Sequence, residues 1–388
     1  MFSEAKRMEL FSGAVFYEMT EISKTRKSVG KPVIDLGIGS PDMPPPAMLP
    51  EVLKNALDEP GVFGYQRTEG TEAFKQEISA FLHRRYQVSV SPEEEVLVTI
   101  GAQDALAHLT LAFINPGDVV LIPDPGYPIY EVAVHLAGGI PYFLPLKEEN
   151  EFLPDFKIIP HDVLKKAKML VLNFPSNPTS AVATPEFFSE VVEFAKQHRM
   201  MVIHDAAYIE LVFDGYQAPS FLQTPGAIDV GIELHSFSKT FNFAGPRLAF
   251  AAGNRQILNT LGKLKSQIDY GVFSAIQSAG AKALKNAEDF IEMNRLEYQF
   301  RRDALLSPII ESGWSVKKPL STMFVWLKTP KNIESKQFAK NLLQETGIIT
   351  VPGTGFGKEG EGYIRIALVQ PVDVLNQVGK SMANFILL

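Results

Sequence analysis

EVLVTIGAQDALAHLTLAFINPGDVVLIP, residues 95–123, carries in order a β-branched run, an amphipathic stretch, a stop and a second apolar run. EVLVTI, ending at Ile100, and DVVLIP, ending at Pro123, are short and almost continuously apolar, as strands buried on both faces are. Between them Ala105, Leu106, Leu109, Ala112 and Phe113 recur at helical spacing, and Asn115-Pro116-Gly117 ends the helix. Three more such runs follow: KMLVLN to Asn173, MMVIH to His204 and LAFAA to Ala252. A helix precedes MMVIH, with Thr184 as N-cap, Pro185 at its first position, and Phe187, Phe188, Val191, Val192 and Ala195 on one face. This alternation predicts an α/β fold: parallel strands in an open sheet, helices on both faces, and ligands beyond the carboxyl ends of the strands.

After about Leu284 the pattern changes to a long charged helical stretch, the strand STMFVWLK, a helix from about Ser335 to Thr346 and the strand GYIRIALV. We read residues 46–284 as a large domain and 285–388 as a smaller α+β domain, against which an N-terminal segment, 1–45, packs. A net charge of -7 argues against nucleic acid or an anionic membrane as main partner, because phosphate backbones demand clustered Lys and Arg. With no cysteine, disulfides and thiolate metal sites are excluded. The charges within Met1 to Leu10 do not suit a signal peptide, and no apolar run suits a membrane span, so a cytoplasmic location is expected.

Two glycine-rich stretches test for a dinucleotide site. In LGIGSPD, Asp42 stands where the third glycine would follow Gly37 and Gly39; Gly355, Gly357 and Gly360 fit the spacing but lead into a strand rather than a helix. A nicotinamide dehydrogenase is therefore disfavoured. HSFSKTFNFAGPR, residues 235–247, is more informative. Lysine forms Schiff bases with carbonyl cofactors, and Ser236, Ser238 and Arg247 around Lys239 supply the donors and planar cation that a phosphate monoester needs. Asp205, ending MMVIH, suits the carboxylate that a pyridoxal ring needs at its pyridine nitrogen, although alone it reads equally as a helix cap. Asn177 could donate to the ring's phenolic oxygen, Tyr127 in DPGYP could cover the ring face, and the free N–H groups at Gly101 and Ala102 suit a phosphate. His198, His204 and His235 lack ligand spacing, so structural roles and no metal are expected.

DLGIGSPD, IPDPGYPIY, HDAAY, FDGYQAPSFLQTPGA, SFSKTFN and GYIRIAL together make the chain resemble the class I and II aminotransferases of fold type I, most closely their LL-diaminopimelate aminotransferase-like subgroup. The resemblance implies a large domain built on a mostly parallel sheet of the seven-stranded type, with pyridoxal 5'-phosphate bound as a Schiff base on Lys239. It implies further that Asp205 partners the pyridine nitrogen, Asn177 and Tyr208 the phenolic oxygen, and Arg247 the phosphate, while Tyr127 stacks on the ring. Arg365 would grip the substrate α-carboxylate, with Gly39 contributing its backbone. Tyr65 would reach the neighbouring subunit's phosphate in a homodimer. Three positions depart from the family pattern. Ala102 stands where a small hydroxyl residue is common, which shifts a phosphate contact toward Gln103; Pro246 replaces an aromatic residue and Ser180 a glycine. The expected reaction moves an amino group from an L-amino acid, a dicarboxylic or polar one such as LL-diaminopimelate, to a 2-oxo acid such as 2-oxoglutarate. Glu69, beside Tyr65, is a candidate for the distal end of such a donor. The alternatives are a carbon-sulfur β-lyase using the same carbanion, and a non-catalytic cofactor-binding regulator.

Overall fold

The computed structural model describes residues 2–10, 14–28, 30–330 and 333–387. Segments 1–45 and 285–388 of the sequence reading thus each include residues outside those described. The strands are β1 (Ile34–Asp35), β2 (Val96–Thr99), β3 (Val119–Asp124), β4 (Ile140–Pro145), β5 (Ala167–Asn173), β6 (Met201–Asp205), β7 (Gly231–Ser236), β8 (Ala249–Gly253), β9 (Phe324–Lys328), β10 (Ile348–Ile349), β11 (Val351–Pro352) and β12 (Tyr363–Ala367).

Seven of them form one sheet in the order β2-β8-β7-β6-β5-β3-β4. Successive side chains alternate between its faces: Met169 and Val171 join one core with Ile203 and Ile232, whereas Leu170 and Leu172 join another with Val202. Helices cover both faces, which is why β3 is buried at every position. The helix Pro185–His198 buries all five of its predicted apolar residues, and Thr184 Oγ1 caps it by accepting from Phe187 N–H at 3.2 Å.

One strand corrects the sequence reading. LAFAA is not parallel: β8 pairs antiparallel with both β2 and β7. The reversal has a use, because the start of β8 then lies at the edge where its neighbours end, and Arg247, two residues before β8, arrives at the same edge as Asp205 and Ser236.

The three-stranded sheet β11-β12-β9 is antiparallel, with Arg365 on its central strand opposite Trp326. Its core gathers Phe324, Ile364, Ile366, Leu342 and Leu375 with Leu36, which follows β1, and β1 itself pairs in parallel with β10. The helix Glu288–Glu311 packs into that core through Tyr298, Leu305 and Ile309.

Candidate active site

A cavity of about 370 Å³ opens at the carboxyl edge of the large sheet. Lys239, Asp205, Tyr208, Asn177, Tyr127, Ala102, Gln103, Ser236, Ser238, Arg247, Arg365 and Gly39 all line it. Cavities of about 480 and 630 Å³ elsewhere are larger, but neither brings these residues together.

Lys239 sits in the short helix Phe237–Thr240 that begins where β7 ends. Its Nζ donates to Gly39 O at 2.6 Å and lies 5.8 Å from the Tyr208 ring. Burial, then the cations Arg365 and Arg247, lower the amine to about 8, while Asp205 opposes them. A useful share of free amine therefore exists near neutral pH. Gly39 comes this close because it has no side chain: a Cβ there would meet the Phe324 ring at 2.7 Å.

Asp205 ends β6, and burial raises its carboxyl above the ordinary value, against hydrogen bonds that hold it down. Tyr130 OH donates to Oδ2 at 2.8 Å and Ala207 N–H to Oδ1 at 3.2 Å. Asn173 Nδ2 donates to the Asp205 carbonyl at 2.8 Å, and Asn173 Oδ1 accepts from Asn177 N–H at 2.7 Å. Tyr130 and Asn173 both line the cavity, and neither was singled out from sequence. Signals existed for both: Tyr130 falls one helical turn after Tyr127, and Asn173 is the polar end of an otherwise apolar strand.

Arg365 is buried, and burial lowers it to about 10. Nη1 donates to Asn177 Oδ1 at 3.0 Å and Nη2 to Gly37 O at 2.6 Å, while the guanidinium carbon lies 4.3 Å from the centre of the Phe324 ring and 4.6 Å from that of Phe356. Its Nε is buried without an acceptor. The bond from Arg365 occupies Asn177 Oδ1 and leaves the amide nitrogen to donate elsewhere. Tyr127 OH donates to Gln103 Oε1 at 3.2 Å, and burial raises both Tyr127 and Tyr208 above the ordinary phenol value.

The helix Ala102–Phe113 starts at this edge, with Gly101 in a left-handed conformation at φ 89°. A Cβ on Gly101 would collide with Arg247 Nη2, so glycine lets the guanidinium lie against the helix start. Arg247 Nη1 reaches Ala244 O at 3.1 Å and Ser238 Oγ at 3.5 Å. Three cations, Lys239, Arg247 and Arg365, thus line a cavity whose one carboxylate is Asp205. That imbalance calls for anionic occupants: a phosphate at the helix start beside Arg247 and a carboxylate at Arg365. An aromatic face, a buried carboxylate and a partly neutral lysine fit pyridoxal phosphate.

Not every predicted residue is at the cavity. Tyr65 is 95% exposed, with its ring centroid 5.5 Å from that of Tyr270, and Glu69 pairs with Arg67 at 3.8 Å. Ser180, at φ 57°, turns its hydroxyl to Thr322 Oγ1 at 2.8 Å and Phe324 O at 2.9 Å, tying the Asn177 loop to β9. His204 and His235 are buried against Glu233. Asp104, His108 and Asp269 do converge, but Lys265 Nζ bonds both carboxylates, at 3.0 and 2.7 Å, and supplies the positive charge there.

Residues 31–378 match the family model described as aminotransferase class I and II. The LL-diaminopimelate aminotransferase of Syntrophobacter fumaroxidans is 45% identical, over 95% of each chain. Among solved structures, substrate-bound BacF from Bacillus subtilis aligns with a TM-score of 0.94 at 35% identity, covering 99% of this chain and 98% of that one. A probable N-succinyldiaminopimelate aminotransferase from Thermus thermophilus aligns with a TM-score of 0.91 at 36% identity, covering 96% of this chain and all of the other.

Proposed function

The chain belongs to the aminotransferase class I and II family and is a pyridoxal-phosphate-dependent transaminase, and from that premise we propose which residues carry its chemistry and which donor it takes. The observation that carries the proposal is the meeting of one half-buried lysine and one buried carboxylate in a cavity whose other charged groups are the cations Arg247 and Arg365. When bound, the cofactor supplies a carbonyl that joins an amine and a ring that accepts electrons from the carbon next to that amine.

Lys239 Nζ is the amine that would hold the cofactor, and as a general acid/base it would move the proton at the substrate Cα. Its lowered proton affinity suits that task. Asp205, fixed by Tyr130 and by Ala207 N–H, keeps a proton on the pyridine nitrogen. Asn177 and Tyr208 would hold the phenolic oxygen, and Tyr127 would cover the ring. Arg247, Ser236, Ser238 and the N–H groups from Gly101 to Gln103 hold the phosphate; Ala102 brings no hydroxyl to it, and Gln103 lies within reach. Arg365 would take the α-carboxylate with the Nη hydrogens that its bonds to Asn177 and Gly37 leave free, and Gly39 would supply backbone beside it.

A homodimer in which Tyr65 completes the partner's phosphate site is part of this reading, supported by the exposure of Tyr65. So are the division at 46–284 and 285–388, supported by the break between the helices Ser274–Asn286 and Glu288–Glu311, and a cytoplasmic location. Among the described residues no helix is long and apolar enough to cross a membrane.

For the donor we propose LL-diaminopimelate, on the names of the relatives, and as acceptor 2-oxoglutarate, on the resemblance read from the sequence. The test compares kcat/KM for LL-diaminopimelate, aspartate, methionine and phenylalanine, in wild type and in Glu69→Gln. LL-diaminopimelate should lead. A preference for phenylalanine of about tenfold, equivalent to about 1.4 kcal/mol in transition-state binding, would overturn the assignment.

A further inference from the structure

Glu233, in the middle of β7, has no exposed surface and is not a wall of the cavity. An ionised carboxylate survives there only if hydrogen bonds replace water. Four donors converge on it: His204 Nδ1 at 2.9 Å, His235 Nε2 at 2.7 Å, Ser220 Oγ at 2.8 Å and Phe221 N–H at 2.7 Å. Burial alone pushes the group up, but the hydrogen bonds from His204 and His235 win and hold it well below the usual carboxylate range. His204 Nε2 lies 2.9 Å from Phe174 O. The His204 ring thus bridges the Glu233 carboxylate and the Phe174 carbonyl.

The network ties three strand ends together. His204 immediately precedes Asp205 on β6, His235 immediately precedes Ser236 on β7, and Phe174 follows β5 on the way to Asn177. On its outer side His235 stacks on Phe250 and lies 6.0 Å from Tyr86, whose hydroxyl bonds Glu210, itself paired with Arg85. Buried ion pairs add little stability over apolar residues of equal volume, but they admit few alternative arrangements.

We propose that Glu233 is a positioning residue for the transamination: through His204 and His235 it locks the ends of β5, β6 and β7 so that Asp205, Asn177 and Ser236 meet the cofactor in register. The proposal rests on the reading of Asp205 as the pyridine partner. Asn173, with its bonds to the Asp205 carbonyl and to Asn177 N–H, is a second tie nearer the cavity.

The experiment uses the cofactor-loaded enzyme and four variants: Glu233→Gln, His204→Gln, Ser220→Ala and Asp205→Ala. For each it measures kcat and KM, the pyridoxal phosphate dissociation constant, the pH midpoint of the long-wavelength absorbance and Tm. Glu233→Gln and His204→Gln should each lower kcat and cofactor affinity about tenfold, with KM within about twofold of wild type. The absorbance midpoint should move by about half a pH unit or more. Ser220 bonds Glu233 but lines a different cavity, so Ser220→Ala should lower Tm while leaving midpoint and kcat in place. If Glu233→Gln does not fold, His204→Gln carries the same test. A midpoint and kcat equal to wild type in the folded variants, beside a severe loss in Asp205→Ala, would overturn the positioning role alone. A harmless Asp205→Ala would instead overturn the reading on which it rests.

Discussion

The wall of the cavity and the surface around Tyr65 are built by opposite rules. In the wall Asp205, Tyr208 and Arg365 are each more than nine-tenths buried, and Asp205 is bonded by Tyr130 from the helix Ile129–Leu136 while Arg365 donates to Asn177 and Gly37 in the loops after β5 and β1. Around Tyr65 large apolar groups face outward: Phe63 is 80% exposed, Tyr65 95%, and Tyr270 and Ile268 52% each, with ring contacts only between neighbours such as Phe63 and Phe273. The wall needs a small anionic guest to balance its charge. The surface carries the mark of an association face, exposed aromatic groups in one patch. On the proposed reading, cofactor chemistry is written into one chain, whereas the completed site depends on what covers the patch.

The sharpest way to break this contrast is at the wall. Asp205→Ala should retain some cofactor but lose several orders of magnitude in turnover, because the ring withdraws electrons poorly without a protonated nitrogen. Were Asp205 only a helix cap, its loss would cost about 1 kcal/mol of stability and leave turnover near normal.

Lys239 offers a test without substrate. Its amine is depressed from the ordinary 10.5 to about 8, so between those values the unfolded chain binds more protons than the folded one. The cofactor-free protein should therefore gain stability as pH rises from about 8 to 10.5, by at most about 3 kcal/mol, and the penalty should be fully present below about 8. Subtracting the same pH series for Lys239→Met isolates this contribution. A flat difference would mean that Lys239 keeps its ordinary affinity.

Arg365→Lys keeps the charge but loses the fork, and should raise KM for every α-amino acid by about tenfold or more while leaving cofactor affinity alone. An effect confined to one donor would move the carboxylate elsewhere.

The gentlest perturbation falls on the exposed surface. Tyr65→Phe should weaken cofactor binding by about threefold to tenfold through one lost hydrogen bond to phosphate. Mixing it with Lys239→Ala chains should partly restore activity, since hybrid dimers hold one intact site. Monomeric behaviour at micromolar concentration would refute the shared site.

How far the sequence could be read follows the same division. Strand ends in apolar runs pointed to Asp205 and Asn177, because a buried strand confines its polar residues to the edge, whereas Lys239 was read from the hydroxyl groups and the arginine around it in HSFSKTFNFAGPR. β7 was not among the strands read from sequence: Glu233 and His235 interrupt GIELHS, and the buried carboxylate is satisfied only because His204 and Ser220 bond it from distant positions. β4 was missed for another reason, since IPYFLP carries two prolines and is an exposed edge strand. The direction of β8 is invisible in LAFAA, whose composition is the same either way. Tyr130 and Asn173 carried only weak local signals, because the bonds that give them a role, to the carboxylate and the carbonyl of Asp205, join elements distant in sequence.

The central claim is that Lys239 is the amine that holds the cofactor. Borohydride reduction of the loaded, yellow protein, followed by digestion and mass spectrometry, tests it directly. The account predicts loss of the long-wavelength band and a phosphopyridoxyl group on Lys239 alone, with Lys239→Ala colourless from the start; the group on any other lysine, such as the buried Lys265, would contradict it.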